Sequence, residues 1–138
     1  MAIRIRSIDQ LVDLVEAEPV EFRQHVIISQ TIETKVGALL DIDDVLYSDL
    51  TQGATVFAHT LDANKELASP ENAQPGTTYV YVFTQDGTGG RTLAYNAVWK
   101  FPGGNTPTLS TAANAVDVFA GLCVNSTTFH ANLTKNFS

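Results

Sequence analysis

The sequence predicts a mainly β protein. An antiparallel β-sandwich or barrel-like domain is expected over residues 51–138, preceded by a short N-terminal helix and an extended attachment segment over residues 1–50. Three observations carry that expectation. After residue 53, short apolar runs recur with Gly, Pro, Asn and Asp between them, which is the rhythm of strands joined by turns. The run "TTYVYVFTQ" alternates with period two, placing Tyr79, Tyr81 and Phe83 on one face and Val80 and Val82 on the other. The only segment with a clear helical period lies near the start, in "SIDQLVDLVEAEP".

Each element has its own local reason. In the N-terminal segment Ser7 can cap a helix, Ile8, Leu11, Val12 and Val15 share one face, and Pro19 stops it. "EFRQHVIISQTIETKVGALL" reads as extended around Val26, Ile27 and Ile28, with a break at Gly37. "DIDDVLYSDL" fits either a helical turn or a connector. "ATVFAHTL" sets Val56 and Ala58 on one face and Phe57 and His59 on the other. "TTYVYVFTQ" is apolar on both faces, so it is expected to be a central strand covered on both sides. "DGTGG" over 86–90 is a turn, "RTLAYNAVWKF" is a further β-run ended by Pro102, and "AVDVFAGLCV" and "STTFHANL" are two runs split by a turn at Asn125 and Ser126.

With 138 residues the chain is long enough to bury a core without disulfides or metal. Its one cysteine, Cys123, sits in apolar "FAGLCVNS" and is expected to be a buried, inert thiol. No apolar run is long enough to span a bilayer, and "MAIRIRSIDQ" has no signal-peptide core, so no membrane partner is expected and the chain reads as soluble. Residues 1–50 carry ten acids and four bases, residues 51–138 five acids and four bases. An acidic balance of this kind speaks against nucleic acid, which needs clustered Lys and Arg. The sparsely charged second part is the kind of surface often covered by other subunits.

The residues offer little chemistry. Counting an EF-hand from Asp41 places Leu46 where Gly is needed and Gln52 where Glu is needed, so "DIDD" reads as a solvated acidic face. His25, His59 and His130 stand singly, without the close ligand pairs of a zinc site, and "GTGGR" lacks the Lys-Ser/Thr of a phosphate loop. Asp117 is an acid inside an apolar strand. It reads either as a buried group with a raised pKa or as one that points outward or accepts hydrogen bonds from a neighbouring loop. No convincing carboxylate pair for glycoside hydrolysis is present. The expectation is a non-enzymatic protein with no catalytic residue, metal or cofactor.

The most characteristic stretch is "WKFPGGNTPTLSTAANAVDVF", residues 99–119. Pro102 cannot donate to a β-ladder, and Gly103 and Gly104 admit backbone angles closed to other residues, so the strand holding Trp99 and Phe101 must end in a sharp turn. Pro107 keeps "NTPTL" extended, and Leu109 can plug the core. The stretch reads as a crossover between sheets, with Thr106 and Thr108 as candidate partner contacts beside Asp41, Asp43 and Asp44 in the first part of the chain.

Residues 53–138 resemble a small β-domain of bacteriophage virion proteins. The resemblance lies in the order "QDGTGGRTLAY", then the Trp99–Phe119 stretch, then the terminal "KNF". It implies a structural protein of the particle: a capsid-decorating (cement) protein or small head-attached fibre that stabilises the shell, or alternatively a tail-fibre or tail-tip protein that binds a host receptor or glycan. It also implies a virion location, partners in the major capsid protein or other virion proteins, and self-association as a homotrimer.

Overall fold

The computed structural model describes residues 36–50 and 53–137. The expected helix over residues 7–19 and the β-run around Val26 lie outside them. The described residues are mainly β, with strands β1 (Val36–Ala38), β2 (Leu40–Ile42), β3 (Val45–Tyr47), β4 (Val56–Leu61), β5 (Lys65–Leu67), β6 (Thr78–Gln85), β7 (Leu93–Tyr95), β8 (Trp99–Lys100), β9 (Val116–Asn125) and β10 (Thr128–Thr134). One six-stranded sheet has the order β1-β4-β6-β9-β10-β8, and a four-stranded sheet has the order β2-β3-β5-β7. Strands β1 to β3 come from the segment assigned above to attachment, and they are paired into both sheets.

The expected antiparallel arrangement is corrected: both sheets are mixed. β4 pairs parallel to β1 and β6, β8 pairs parallel to β10, and β5 pairs parallel to β3 and β7. The antiparallel pairs are β2–β3, β6–β9 and β9–β10. Period-two alternation tells which side chains share a face but is blind to strand direction, which the connections decide. The link over residues 62–77 leaves β4, adds β5 to the other sheet, and returns to the end where β4 began. β6 must then run parallel to β4.

The tightest link is at the β2–β3 hairpin. Ile42 faces Val45, with only Asp43 and Asp44 between them. Both have positive φ, 51° and 64°, as a type I′ turn demands, and Asp is one of the few non-glycine residues that tolerate it. The run "RTLAYNAVWKF", expected as one strand, divides into β7 and β8 in different sheets. Asn96 makes the break: its Oδ1 accepts from Val98 N at 3.1 Å and its carbonyl from Trp99 N at 3.1 Å.

The inner face of the large sheet is aromatic. Tyr81 stacks on Phe57 with centroids 5.3 Å apart and meets Trp99 edge-on at 5.7 Å. Phe119 meets Trp99 at 5.0 Å and stacks on Tyr95 at 5.3 Å. Leu46, Leu61, Leu67 and Leu93 join them in one core that draws on both sheets. A buried aromatic side chain removes about 150–250 Å² from water, worth at most about 4–6 kcal/mol each. β6 is central, as expected, but it is not covered on both sides. Tyr79, Tyr81 and Phe83 are buried, whereas Val80 and Val82 are only half-buried. Cys123 is fully buried, and burial pushes its thiol pKa up.

Asp117 takes the second of the roles left open by the sequence. It is 2% exposed and accepts from Ser110 N at 2.6 Å, Ser110 Oγ at 2.7 Å and Asn136 N at 2.8 Å. Asp117→Ala would leave three donors without an acceptor, which is expected to lower stability by about 2–4 kcal/mol in urea denaturation. Asp117→Asn keeps one acceptor oxygen and should lose less. If the Ala variant unfolded at the parent's midpoint, the clamp would not be holding the loop.

Candidate recognition surface

The sequence-predicted residues of the 99–109 stretch divide into buried anchors and an exposed rim. Trp99 is 4% exposed, and its Nε1 donates to the Ala68 carbonyl at 3.2 Å, tying the edge strand β8 to the loop after β5. Phe101 is half-buried against Tyr95 at 4.9 Å and Phe119 at 6.0 Å. Pro102–Gly104 then form a single 3₁₀ turn, closed by Gly104 N donating to the Phe101 carbonyl at 2.9 Å and Asn105 N to that of Pro102 at 3.2 Å. Gly103 and Gly104 have φ of 65° and 72°, so the sharp turn does depend on them.

Leu109 is the expected core plug, at 6% exposure. Pro107 is half-buried, while Thr106 and Thr108 are exposed. The stretch is not a crossover between sheets. β8 and β9 belong to the same sheet with β10 between them, so residues 105–115 carry the chain from its edge back inward. Gly90 N donates to the Thr111 carbonyl at 2.8 Å, and Gln85 Nε2 donates to the Ser110 carbonyl at 2.9 Å, so the 86–91 turn braces this return. That turn is itself held by Asp86, which accepts from Thr88 N and Gly89 N and pairs with Arg91 at 2.8 Å. The Arg91 guanidinium lowers the Asp86 pKa.

Two depressions flank the Trp99–Gly104 segment. One, of about 370 Å³, is lined by Tyr95, Asn96, Gly104 and Thr106 among others; the buried Tyr95 hydroxyl has no hydrogen-bond partner among the described residues. The other, of about 510 Å³, lies on the outward face of the large sheet and includes Lys100, Phe101, Leu122, His130 and Asn132. Sequence reasoning missed both. Lys100 and His130 are direct neighbours in the β8–β10 register, and a pairing of strands so short leaves no readable signal.

Asp41, Asp43 and Asp44 sit elsewhere, at the β2–β3 hairpin. Asp41 and Asp44 are not merely solvated: with Asp62 they converge on Lys65 Nζ at 2.6, 2.7 and 2.8 Å. The Lys65 side chain is only 3% exposed. Its inward position follows from the alternation of β5, since Lys65 shares a face with buried Leu67. Hydrogen bonds donated by Lys65 to the three carboxylates push its pKa up, and Lys65 in turn lowers that of Asp62. Asp43 stays exposed at the turn.

The fold and its surface define a mainly β structural module that presents a shaped loop on an aromatic platform. Residues 46–128 match the model of a family described as "Putative phage tail fibre C-terminal domain". That covers more than half of the 138 residues, and the chain belongs to this family. It bears out the resemblance to phage virion β-domains and associates the protein with the virion. No curated protein and no solved structure matches the chain.

Two substitutions test the geometry. Replacing Gly103 and Gly104 together by Val forces two β-branched residues into left-handed backbone, at about 1–2 kcal/mol each, and a thermal melt should fall accordingly. A melt like the parent's would mean that the turn can be rebuilt without glycine. Lys65→Met leaves three carboxylates facing one another. The Asp62 contribution is present above its ordinary pKa of 3.8 and lost as pH falls through its lower folded value. That of Lys65 is present below the ordinary 10.5 and lost as pH rises through its higher folded value. The variant should therefore melt below the wild type from about pH 5 to about pH 9, with the gap narrowing below about pH 3. A pH-independent gap would argue against electrostatics as its cause.

Proposed function

We propose that this protein is a non-enzymatic element of a phage tail fibre that contacts a receptor or glycan on the host surface. The observation that carries the reading is the match of residues 46–128 to the tail-fibre family. The surface supports it. Asn105, Thr106 and Thr108 are exposed on a loop whose base is fixed by buried Trp99 and Leu109, so hydroxyl and amide groups are offered without a large loss of loop entropy on binding. The 370 Å³ depression beside Thr106 brings an aromatic ring and an amide together, a combination suited to a sugar. Self-association as a homotrimer and attachment to other virion proteins complete the proposal. The family match speaks for the tail-fibre alternative rather than for capsid decoration, which no specific observation favours.

The test is immunogold labelling of purified virions with antibody against the β-domain. Label at the distal tail is expected. Dense label over the head would return the protein to capsid decoration, and label on neither would remove it from the particle. Purified protein should also compete with phage for adsorption to host cells. Thr106→Arg, which fills the depression without touching the core, should weaken that competition about tenfold or more, the scale of one lost polar anchor.

A further inference from the structure

The outward face of the large sheet is apolar along its centre. A sheet with one face in water usually alternates apolar-in and polar-out. Here Val80 and Val82, with Val116, Val118 and Ala120 of β9, are half-buried on that face, and Ala58 is exposed. None of the outward positions on β4, β6 and β9 carries a charge. Toward the β10–β8 edge this face ends in Leu122 and Val124, 42% and 44% exposed, and in the 510 Å³ groove beside Lys100 and His130. Neither Lys100 nor His130 makes an ion pair among the described residues.

A second apolar patch lies at the opposite edge. Leu40 and Tyr47 face each other across the β2–β3 hairpin and Ile42 lies two residues on, with exposures of 61%, 36% and 49%. Asp49 and Glu71 line the same depression, and Asp43 stands at the hairpin tip. Charge differs between the two regions. Asp41, Asp43, Asp44 and Asp62 gather at the hairpin, with Asp49 and Glu71 beside it, and Lys65 is set among them; Lys100 stands at the groove, while Asp86 and Arg91 pair with each other and Asp117 is buried.

We infer that the acidic, apolar hairpin of one copy seats in the basic, apolar groove of the next, so that copies associate head to tail. A two-fold contact centred on either patch would place acid on acid or base on base, and one that paired the two patches reciprocally would need both on one face. The hairpin and the groove lie at opposite edges, so the contact that pairs opposite charges is heterologous. Because the patches lie at opposite edges of the molecule, repetition closes into a ring when the rotation permits. The inference rests on the self-association proposed above and assigns its surfaces. Each outward residue of a sheet covers about 33 Å² (about 4.8 by 6.8 Å), so a dozen supply about 400 Å² a side. Stable interfaces bury about 800 Å² a side, so association of this chain alone should be weak and concentration-dependent.

The test is sedimentation analysis of the full chain across the micromolar range, with thermal melts to confirm that each variant folds. Wild type should shift reversibly toward a larger species as its concentration rises. Leu122→Asp and Lys100→Glu should each weaken it about tenfold or more, and Lys100→Glu combined with Glu71→Lys should recover most of the loss. An oligomer unchanged in Leu122→Asp and Lys100→Glu would overturn the assigned surfaces while leaving self-association standing. A wild type monomeric throughout would overturn both, and the tail location would still be decided separately by the particle labelling.

Discussion

The structure depends on aromatic side chains that are buried to their tips yet keep their polar ends bonded across the core. Tyr81 lies at the centre of the inner face, and its hydroxyl is 3.0 Å from Ser48 Oγ, just beyond β3. Burial pushes the Tyr81 pKa up, so the phenol stays neutral at any ordinary pH. Trp99 bonds the carbonyl of Ala68, and Tyr79 Oη accepts from Gln74 N at 2.9 Å. A ring alone would need only apolar surroundings, but a phenol or indole also needs one atom at one place. These bonds reach from the large sheet to Ser48, Ala68 and Gln74, and so fix where the chain must pass above it. Gly121 shows how tightly: a Cβ there would lie 2.5 Å from Trp99 Cζ3, so the indole occupies space that only glycine vacates.

From that core the loop is held in two steps. Trp99 and Phe101 anchor its start, and Leu109 with the Ser110–Asp117 bonds anchors its end. Between them the 3₁₀ turn over Pro102–Gly104 closes on itself, with Asn105 N donating to the Pro102 carbonyl. The Asn136 bond to Asp117 brings the C-terminal residues into the same clamp, so one buried carboxylate coordinates two separate parts of the chain. A surface loop fixed in this way resembles the framework of a binding site more than that of a mobile connector.

Much of this was legible in the sequence, and what was not has a physical reason. The faces of β4 and β6, the turns at 86–90 and 125–126, the Leu109 plug and the Gly103–Gly104 turn all follow from local pattern, and local pattern is what a sequence displays. Strand direction did not, because Val56–Leu61 and Thr78–Gln85 would alternate identically in either sense. The break at Asn96 was hidden because Leu93–Tyr95 and Trp99–Lys100 are each apolar enough to continue one strand. The Lys65 cluster was hidden because its carboxylates come from a hairpin some twenty residues upstream as well as from Asp62; only the position of Lys65 two residues before Leu67 hinted that it points inward. The groove beside Lys100 and His130 arises wholly from the parallel β8–β10 pairing, which no local signal announces.

The charge of the hairpin edge is partly a consequence of backbone geometry. A two-residue link between Ile42 and Val45 requires left-handed backbone at both positions, which limits the choice to Gly, Asn or Asp. The chain uses Asp43 and Asp44, and each brings a negative charge to an edge that already holds Asp41 and Asp62. Like charges gathered this closely would oppose folding, and Lys65 answers by drawing three carboxylates onto one ammonium. One cation among three anions leaves a net negative charge at this cluster, with Asp43 exposed beside it. Each further buried cation would carry its own desolvation penalty. A cation supplied from outside, at the rim of an apolar contact and half in water, meets the same need at far smaller cost.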